Sequence, residues 1–373
     1  MNVNNQIRKL REEGKSQREI SNLLGVTSWK VRQATAKAPQ PVDQPVIQDV
    51  SEPVFRSQLI KKLKRGWVSL SNLSTKFNAT PVSLREAIDH LEVSGYNVVW
   101  NGPRVHISKQ MKPGGKGYKD ASPLINKWRK FGVIGDTHIG STKERLDVLE
   151  QAYDHFAKEG ITDVYHAGNM VDGESNLNRF ELKVHGVTDQ TLYLLDVYPQ
   201  RSGITTHFIT GECHEGWWGK ASGLDWGRYM IGEARSFGRE DFNYLGFLEA
   251  DVEFKMPGGK SNYMRLFHPG GGSSYAYSYQ IQKIIESFTG GEKPGMLLCG
   301  HFHKSNYFKC RNVACISVGC MQDQTTFMRK KRLAAHVGYW VVEIQQDING
   351  AIRRIRPEET SFYDHDYHVK LIR

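Results

Sequence analysis

The sequence predicts an α/β domain over residues 125–373, preceded by two small, mostly helical modules at residues 1–37 and 53–110. Two observations set this division. Five apolar runs read as buried strands: Phe131 to Ile134, Ile161 to Tyr165, Gly203 to Ile209, Tyr263 to Phe267 and Gly295 to Leu298. Each gives way to a short polar segment, the pattern of an open α/β sheet whose functional groups collect past the strand ends. Charge divides the chain at about the same place. Residues 1–130 carry 23 Lys and Arg against 10 Asp and Glu, a balance of +13, whereas residues 131–373 carry 27 against 30, a balance of −3.

Within the first module, Ile7 and Leu10 form an apolar stripe that ends at Gly14. Ser16-Gln17-Arg18-Glu19 is a reciprocal capping box that starts a second helix carrying Ile20, Leu23 and Leu24. Gly25 permits a tight turn, and Thr27 caps a third helix from Ser28 through Gln33. The pattern resembles the helix-turn-helix of resolvase and transposase DNA-binding domains. That resemblance implies a recognition helix presenting Ser28, Lys30, Arg32 and Gln33 to a major groove. A helical bundle that serves only protein contacts is the alternative. Residues 38–52 are Pro-rich and lack apolar periodicity, as expected of a semi-extended linker.

Three helices are expected next, around Leu59 and Leu63, then Leu70, Leu73 and Phe77, then Leu84, Ile88 and Leu91, the last opened by Thr80-Pro81. Val98-Val99-Trp100 and Val105-His106-Ile107 flank Asn101-Gly102, a hairpin signal. The order resembles a winged helix, with Lys61, Lys62, Lys64 and Arg65 on its first helix. Residues 111–124, rich in Gly and Lys, read as a flexible hinge. Near the end of the chain, Tyr339 to Ile344 and Ala351 to Ile355 read as a closing hairpin.

The polar segments past the five strands are Gly135-Asp136-Thr137-His138, Gly168-Asn169-Met170-Val171-Asp172, Gly211-Glu212-Cys213-His214-Glu215, Phe267-His268-Pro269-Gly270 and Gly300-His301-Phe302-His303. Alone, His138 or His268 would more often be a satisfied histidine than a ligand. Together and in this order the five segments resemble the calcineurin-like metallophosphoesterase family, whose pattern runs D-x-H, G-D-x-x-D, G-N-H-[DE], a lone His and G-H-x-H. The resemblance spans residues 130 to 345 and implies a four-layer αββα sandwich. It also implies divalent metal ions, expected to be two, with manganese favoured and iron or zinc as alternatives. Imidazole and carboxylate donors suit such ions. One ion would take Asp136, His138 and His303, and the other His268 and His301. Asn169 stands where the family has its bridging carboxylate, and Cys213 where it has an asparagine. His214 would assist at the scissile phosphate, with Asp136 as the other catalytic position.

Asn169 and Cys213 are departures from the pattern. An amide supplies no bridging charge, although Cys213 as thiolate, or Asp172, Glu212 or Glu215, could restore one. The Phe327-Met328-Arg329-Lys330-Lys331-Arg332 run could follow a phosphate backbone or serve as a solvated loop. His166 and His185 have no motif support, and His365-Asp366-Tyr367-His368 reads as a solvated terminus. The combination points to a DNA-binding metal-dependent nuclease, paralleling the nuclease of double-strand break repair and the small subunit of archaeal replicative polymerases. The alternatives are a DNA-binding scaffold with weakened catalysis, and a phosphatase or cyclic-nucleotide phosphodiesterase tethered to DNA. Five cysteines form no disulfide framework, and no apolar stretch approaches membrane-spanning length. A cytoplasmic protein with DNA as partner and no membrane association is the expectation.

Overall fold

Alternate residues of the strands face different layers, and this alternation builds the larger part of the computed structural model. The structure describes residues 3–35, 53–114, 116–120, 127–255, 261–272, 274 and 276–363. The chain divides into two compact units, one comprising residues 1–111, 191–196 and 218–238 and the other residues 112–190, 197–217 and 239–373.

The second unit holds two six-stranded sheets. In the first, parallel strands Trp128–Ile134, Asp163–His166 and Thr205–Thr210 lie side by side, flanked by Phe242–Phe247 on one side. On the other, Val337–Gln346 pairs antiparallel with Trp128–Ile134 and with the edge strand Ile352–Phe362. In the second sheet, Ser261–Phe267 runs parallel to Met296–Cys299 and antiparallel to Glu249–Lys255, and Val313–Val318 and Ser305–Cys310 complete one side. Phe131, Val133, Tyr165, Val342 and Ile344 of the first sheet share a buried core with Val252, Phe254, Met264, Leu266, Met296, Leu298 and Ile316 of the second.

The intervening positions face outward. Leu297, Cys299, Val313 and Cys315 pack against Ile281 and Ile285 of helix Tyr279–Ser287. Helix Leu146–Lys158 covers the first sheet, with the Phe156 ring over Gly132. The α/β sandwich expected from the sequence is therefore present, with apolar contact between the sheets as its central layer. The parallel strands end at the segments that carry Asp136, Asn169, His214, His268 and His301.

The expected hinge behaves differently from its composition. Lys116–Asp120 forms the edge strand of the second sheet, parallel to Glu249–Lys255. Gly114 N donates to the Phe247 carbonyl at 2.6 Å. A Cβ at Gly114 would lie 2.2 Å from the Glu249 carbonyl oxygen and 3.0 Å from Gly246 Cα. Glycine here permits close backbone approach, so the sheet edge recruits a segment that composition marks as flexible.

In the first unit, helices Val3–Glu12, Gln17–Leu24 and Ser28–Thr35 surround Ile7, Ile20, Val31 and Ala34. The Ser16–Glu19 capping box forms, Gly25 closes the second helix in the left-handed region, and Lys30 N donates to Thr27 Oγ1 at 3.3 Å. Helices Pro53–Leu63, Leu70–Phe77 and Pro81–Val93 precede a hairpin of Val98–Asn101 and Arg104–Ile107, around a core that includes Phe55, Leu59, Leu73, Ile88 and Val105. The hairpin region is tied to residues 218–238, through Asn97 N to the Gly223 carbonyl and Asp225 N to the Gly95 carbonyl, both at 2.7 Å.

Ser28 requires a correction. It is buried, and its backbone N–H donates to Asp196 Oδ1 at 3.4 Å, so it does not present a hydroxyl to a groove. Lys30 is exposed. The side chains of Arg32 and Gln33, the Pro-rich linker and His365 to His368 lie outside the described residues. Among the described residues, no helix is long and apolar enough to cross a membrane.

Candidate metal centre

The metal-motif loops leave their strands through unusual backbone turns. Among the described residues, eleven non-glycine residues have a left-handed φ, and six of them are Asp136, His138, Asn169, His214, His301 and His303. Such a conformation costs an L-residue on the order of 1–3 kcal/mol. Six coinciding at one group of loops means that the surrounding structure is holding these side chains in fixed directions.

Those directions converge on Asp136. Its carboxylate is fully buried, with Oδ2 accepting from His301 N at 2.8 Å and Oδ1 accepting from Asn169 Nδ2 at 3.1 Å. The Nε2 atoms of His303, His138 and His268 lie 3.3, 3.6 and 4.0 Å from Oδ1. His138 Nε2 and His303 Nε2 face each other at 3.0 Å. Burial disfavours charge on Asp136, but the histidines outweigh it and hold its pKa well below the carboxylate range.

Asp172 organises the neighbouring side. Its Oδ1 is 2.8 Å from His138 Nδ1, and its backbone carbonyl accepts from His214 Nδ1 at 2.8 Å. Burial opposes charge on His138, yet Asp136 and Asp172 lift its pKa to about 9. A carboxylate on the remote imidazole nitrogen fixes the ring and directs Nε2 inward. His214 packs its ring against His138 and Trp217, with centroids 4.3 and 4.7 Å away.

These donors fit a divalent cation. Asp136, His138 and His303 bring one ligand atom each within 4.8 Å of one another, and so do His138, Asp172 and His214. Beside them lies a second set of inward-facing atoms. His268 Nδ1 donates to the Ala167 carbonyl at 2.6 Å, leaving a buried Nε2 with no hydrogen-bond partner, and Asn169 Oδ1 is likewise buried and unpartnered. The space between them exists because Gly211 has no side chain. A Cβ there would lie 2.5 Å from Asn169 Oδ1 and 2.9 Å from His268 Nε2. Buried acceptors are costly unless something satisfies them, and an imidazole nitrogen and an amide oxygen over a glycine fit a cation.

His301 and Cys213 stand apart from this pattern. His301 supplies its backbone N–H to Asp136, while its ring Nε2 lies 2.8 Å from the Gly271 carbonyl oxygen. Its ring centroid is 5.4 Å from that of His268. Cys213 is partly exposed and belongs to neither donor group.

Two supporting residues carried no distinct role in the sequence. Glu215 Oε1 accepts from Asn169 N at 2.7 Å and Gly211 N at 3.0 Å, joining two motif loops. Burial pushes its carboxyl pKa up to about 8. His166, which lacked motif support, is fully buried with Nε2 3.1 Å from Thr137 Oγ1, and burial lowers its pKa to about 3. Asp172 was among several carboxylates near the motifs; its spacing in Gly168-Asn169-Met170-Val171-Asp172 was the available signal. His185, by contrast, is an exposed residue 3.3 Å from Glu174 Oε1.

Comparison with known proteins agrees with this geometry. Residues 130–347 match the calcineurin-like phosphoesterase superfamily domain, and the chain belongs to that superfamily of metal-dependent phosphoester hydrolases. No curated protein matches the sequence significantly. Solved structures that are similar include an archaeal phosphodiesterase, at 12% identity and TM-score 0.34, covering 63% of this chain and 100% of that one. Vacuolar protein sorting 29 from Cryptosporidium parvum is similar at 13% identity and TM-score 0.31, covering 63% of this chain and 99% of that one. A 5′-nucleotidase precursor from Thermus thermophilus gives 11% identity and TM-score 0.33, with 66% of this chain and 57% of that one covered.

Proposed function

We propose that this phosphoesterase is a nuclease that hydrolyses DNA phosphodiester bonds. The observation that carries the hydrolytic half is the convergence of His138, His303 and His268 on the buried Asp136 carboxylate. Asp136, His138 and His303 would hold one divalent ion, and His268 with Asn169 would hold another more weakly. Bound divalent ions supply a polarised phosphate and a water activated for in-line attack. Asp172 orients His138 and fixes His214 through its carbonyl. With Nδ1 committed to that carbonyl, His214 presents its Nε2 edge to stabilise or protonate the leaving oxygen. No covalent enzyme intermediate is required.

DNA as substrate is supported by the excess of +13 in residues 1–130. Part of that charge lines a cleft of about 520 Å³ formed by Arg56, Lys61 and Lys64 with Tyr96. Burial, and after it the nearby Lys109, lowers the pKa of Lys64. Such clusters bind polyanions and lose affinity steeply with salt. In this reading Lys30 remains a candidate DNA contact, together with Arg32 and Gln33, whereas Ser28 is removed from the set.

The test is manganese-dependent cleavage of single-stranded and duplex DNA by the full chain, beside the small diester bis(p-nitrophenyl) phosphate. Cleavage of DNA that is lost in His303→Ala is the expected result. Hydrolysis of the small diester alone would reject the nuclease reading in favour of another phosphodiesterase.

The weakened-hydrolase alternative has one specific observation behind it. Asn169 puts an amide hydrogen, rather than a second negative charge, onto Asp136. Wild-type protein that binds DNA but takes up no metal would support that alternative.

A further inference from the structure

A rim of exposed rings and cations is fastened to the metal loops from two directions. Asn178 Nδ2 donates to the Asp172 carbonyl at 2.9 Å and to Asp172 Oδ2 at 3.1 Å, pinning the loop that carries Arg179 and Phe180. Met321 N donates to the Asp136 carbonyl at 3.0 Å, anchoring the segment that leads into helix Thr326–Lys331. The loop and the helix are joined, since Glu181 Oε1 accepts from Thr326 N at 3.0 Å and from Thr326 Oγ1 at 2.7 Å. Phe180 and Phe327 therefore each stand next to one shared hydrogen-bonded junction.

Both rings face solvent, Phe180 at 91% exposure and Phe327 at 49%. Arg179 lies over the Phe180 ring, its guanidinium carbon 5.5 Å from the centroid. Arg329, Lys330 and Lys331 are exposed along the helix beside Phe327. Among the described residues, no carboxylate pairs with Arg179, Lys330 or Lys331. Two exposed rings beside one hydrogen-bonded junction offer apolar contact to a ligand, and the cations of Arg179, Lys330 and Lys331 near them favour an anionic occupant.

We propose that this rim receives a single-stranded or locally unpaired nucleic acid and leads it to the metal cluster. The inference rests on the nuclease reading and names its substrate class. Phe180 and Phe327 stack successive bases, while Arg179, Arg329, Lys330 and Lys331 follow the phosphates. The rings carry the distinction, because a duplex keeps its base faces stacked internally and offers a protein only backbone and groove edges. Exposed rings beside cations are the combination by which proteins hold single strands without reading sequence.

The experiment uses the full chain in EDTA, with fluorescein-labelled dodecathymidylate and a labelled duplex hairpin as probes. Phe180→Ala/Phe327→Ala should weaken oligothymidylate binding by roughly tenfold or more while duplex affinity stays within about twofold. Phe180→Trp/Phe327→Trp should retain single-strand binding. With manganese, all three proteins should hydrolyse bis(p-nitrophenyl) phosphate equally, since neither ring touches the metal cluster. Undiminished oligothymidylate binding by the alanine pair would overturn the rim while leaving the nuclease reading intact, as would an equal loss on the duplex. Wild-type protein that hydrolyses the small diester but neither binds nor cleaves either DNA would overturn both.

Discussion

The two halves of the candidate metal centre are built to different standards. Around Asp136, His138 and His303, ligand atoms lie 3.0–3.6 Å apart, and two buried carboxylates face the imidazoles. Around Asn169 and His268 the inward atoms are neutral, and the nearest carboxylate oxygen of Asp136 is 4.0 Å from His268 Nε2. Cations are held in proportion to the negative charge that replaces their water, so the first half should load first and tightly, and the second weakly. Divergence from the family pattern has spared the ligands of the first half. Asn169, at the bridging position, lines the second half through its unpartnered Oδ1, whereas Asp136, His138 and His303 keep the D-x-H and final-His positions of the first.

The largest effect should come from removing the charge that both halves share. Asp136→Asn keeps the size and an acceptor for His301 N but leaves His138 facing only Asp172. Breaking a buried charged partnership costs on the order of 3–5 kcal/mol, which corresponds to metal affinity lower by about 10² to 10³-fold or more. Elemental analysis after manganese loading, with circular dichroism as the folding control, gives the answer. Metal content equal to wild type would mean that Asp136 is structural and that the halves do not share a centre.

A smaller loss should follow Asp172→Asn, because Asp172 acts through His138 and His214 rather than on the ion. Replacing a carboxylate that orients a ligating histidine typically costs roughly 10–100-fold in affinity or activity. Manganese titration of small-diester hydrolysis would show the requirement rising. If only the maximal rate falls, the important partner is His214; if only the metal requirement rises, it is His138.

Much of this centre was legible in the sequence because it is written in residue type and order. Five strand ends carrying Asp136, Asn169, His214, His268 and the His301–His303 pair arrive in family order, and the strands that deliver them are apolar enough to be seen. What the sequence did not carry was direction. Nothing in the letters says that His301 turns its ring to the Gly271 carbonyl, or that Asp172 rather than Glu212 reaches His138. Those outcomes depend on left-handed turns fixed by packing from several segments. The same limit explains the N-terminal differences. Ser28 reads as a surface residue of a short helix, but Asp196, distant in sequence, covers its amide. The Gly and Lys content of residues 111–124 suggests a free hinge, yet an open sheet edge takes up Lys116–Asp120 through backbone hydrogen bonds, which are indifferent to side-chain identity.

The smallest expected change tests the comparison most directly. Asn169→Asp places a second carboxylate against Asp136, where an amide N–H now donates at 3.1 Å. In metal-free protein this replaces a hydrogen bond with a repulsion, so thermal stability should fall. Two unit charges 4 Å apart interact by roughly 4 kcal/mol at an effective dielectric of 20, before relaxation and proton uptake reduce it. A net loss of about 1–2 kcal/mol is therefore reasonable, because a buried acid can remain partly protonated. With manganese the sign reverses, since the new carboxylate faces the same space over Gly211 as His268 Nε2 and adds the charge that half lacks. The variant should then melt lower than wild type in EDTA, gain more from added manganese, and need less manganese for hydrolysis. The Cys213→Ser protein run alongside tests whether the thiol already supplies that charge, in which case its manganese requirement should rise. An Asn169→Asp protein that is destabilised in EDTA but gains no more from manganese than wild type would show that the missing charge is not what separates the two halves. The weakness of the second half would then lie in the commitment of His301 Nε2 to the Gly271 carbonyl, a difference of side-chain partner rather than of charge.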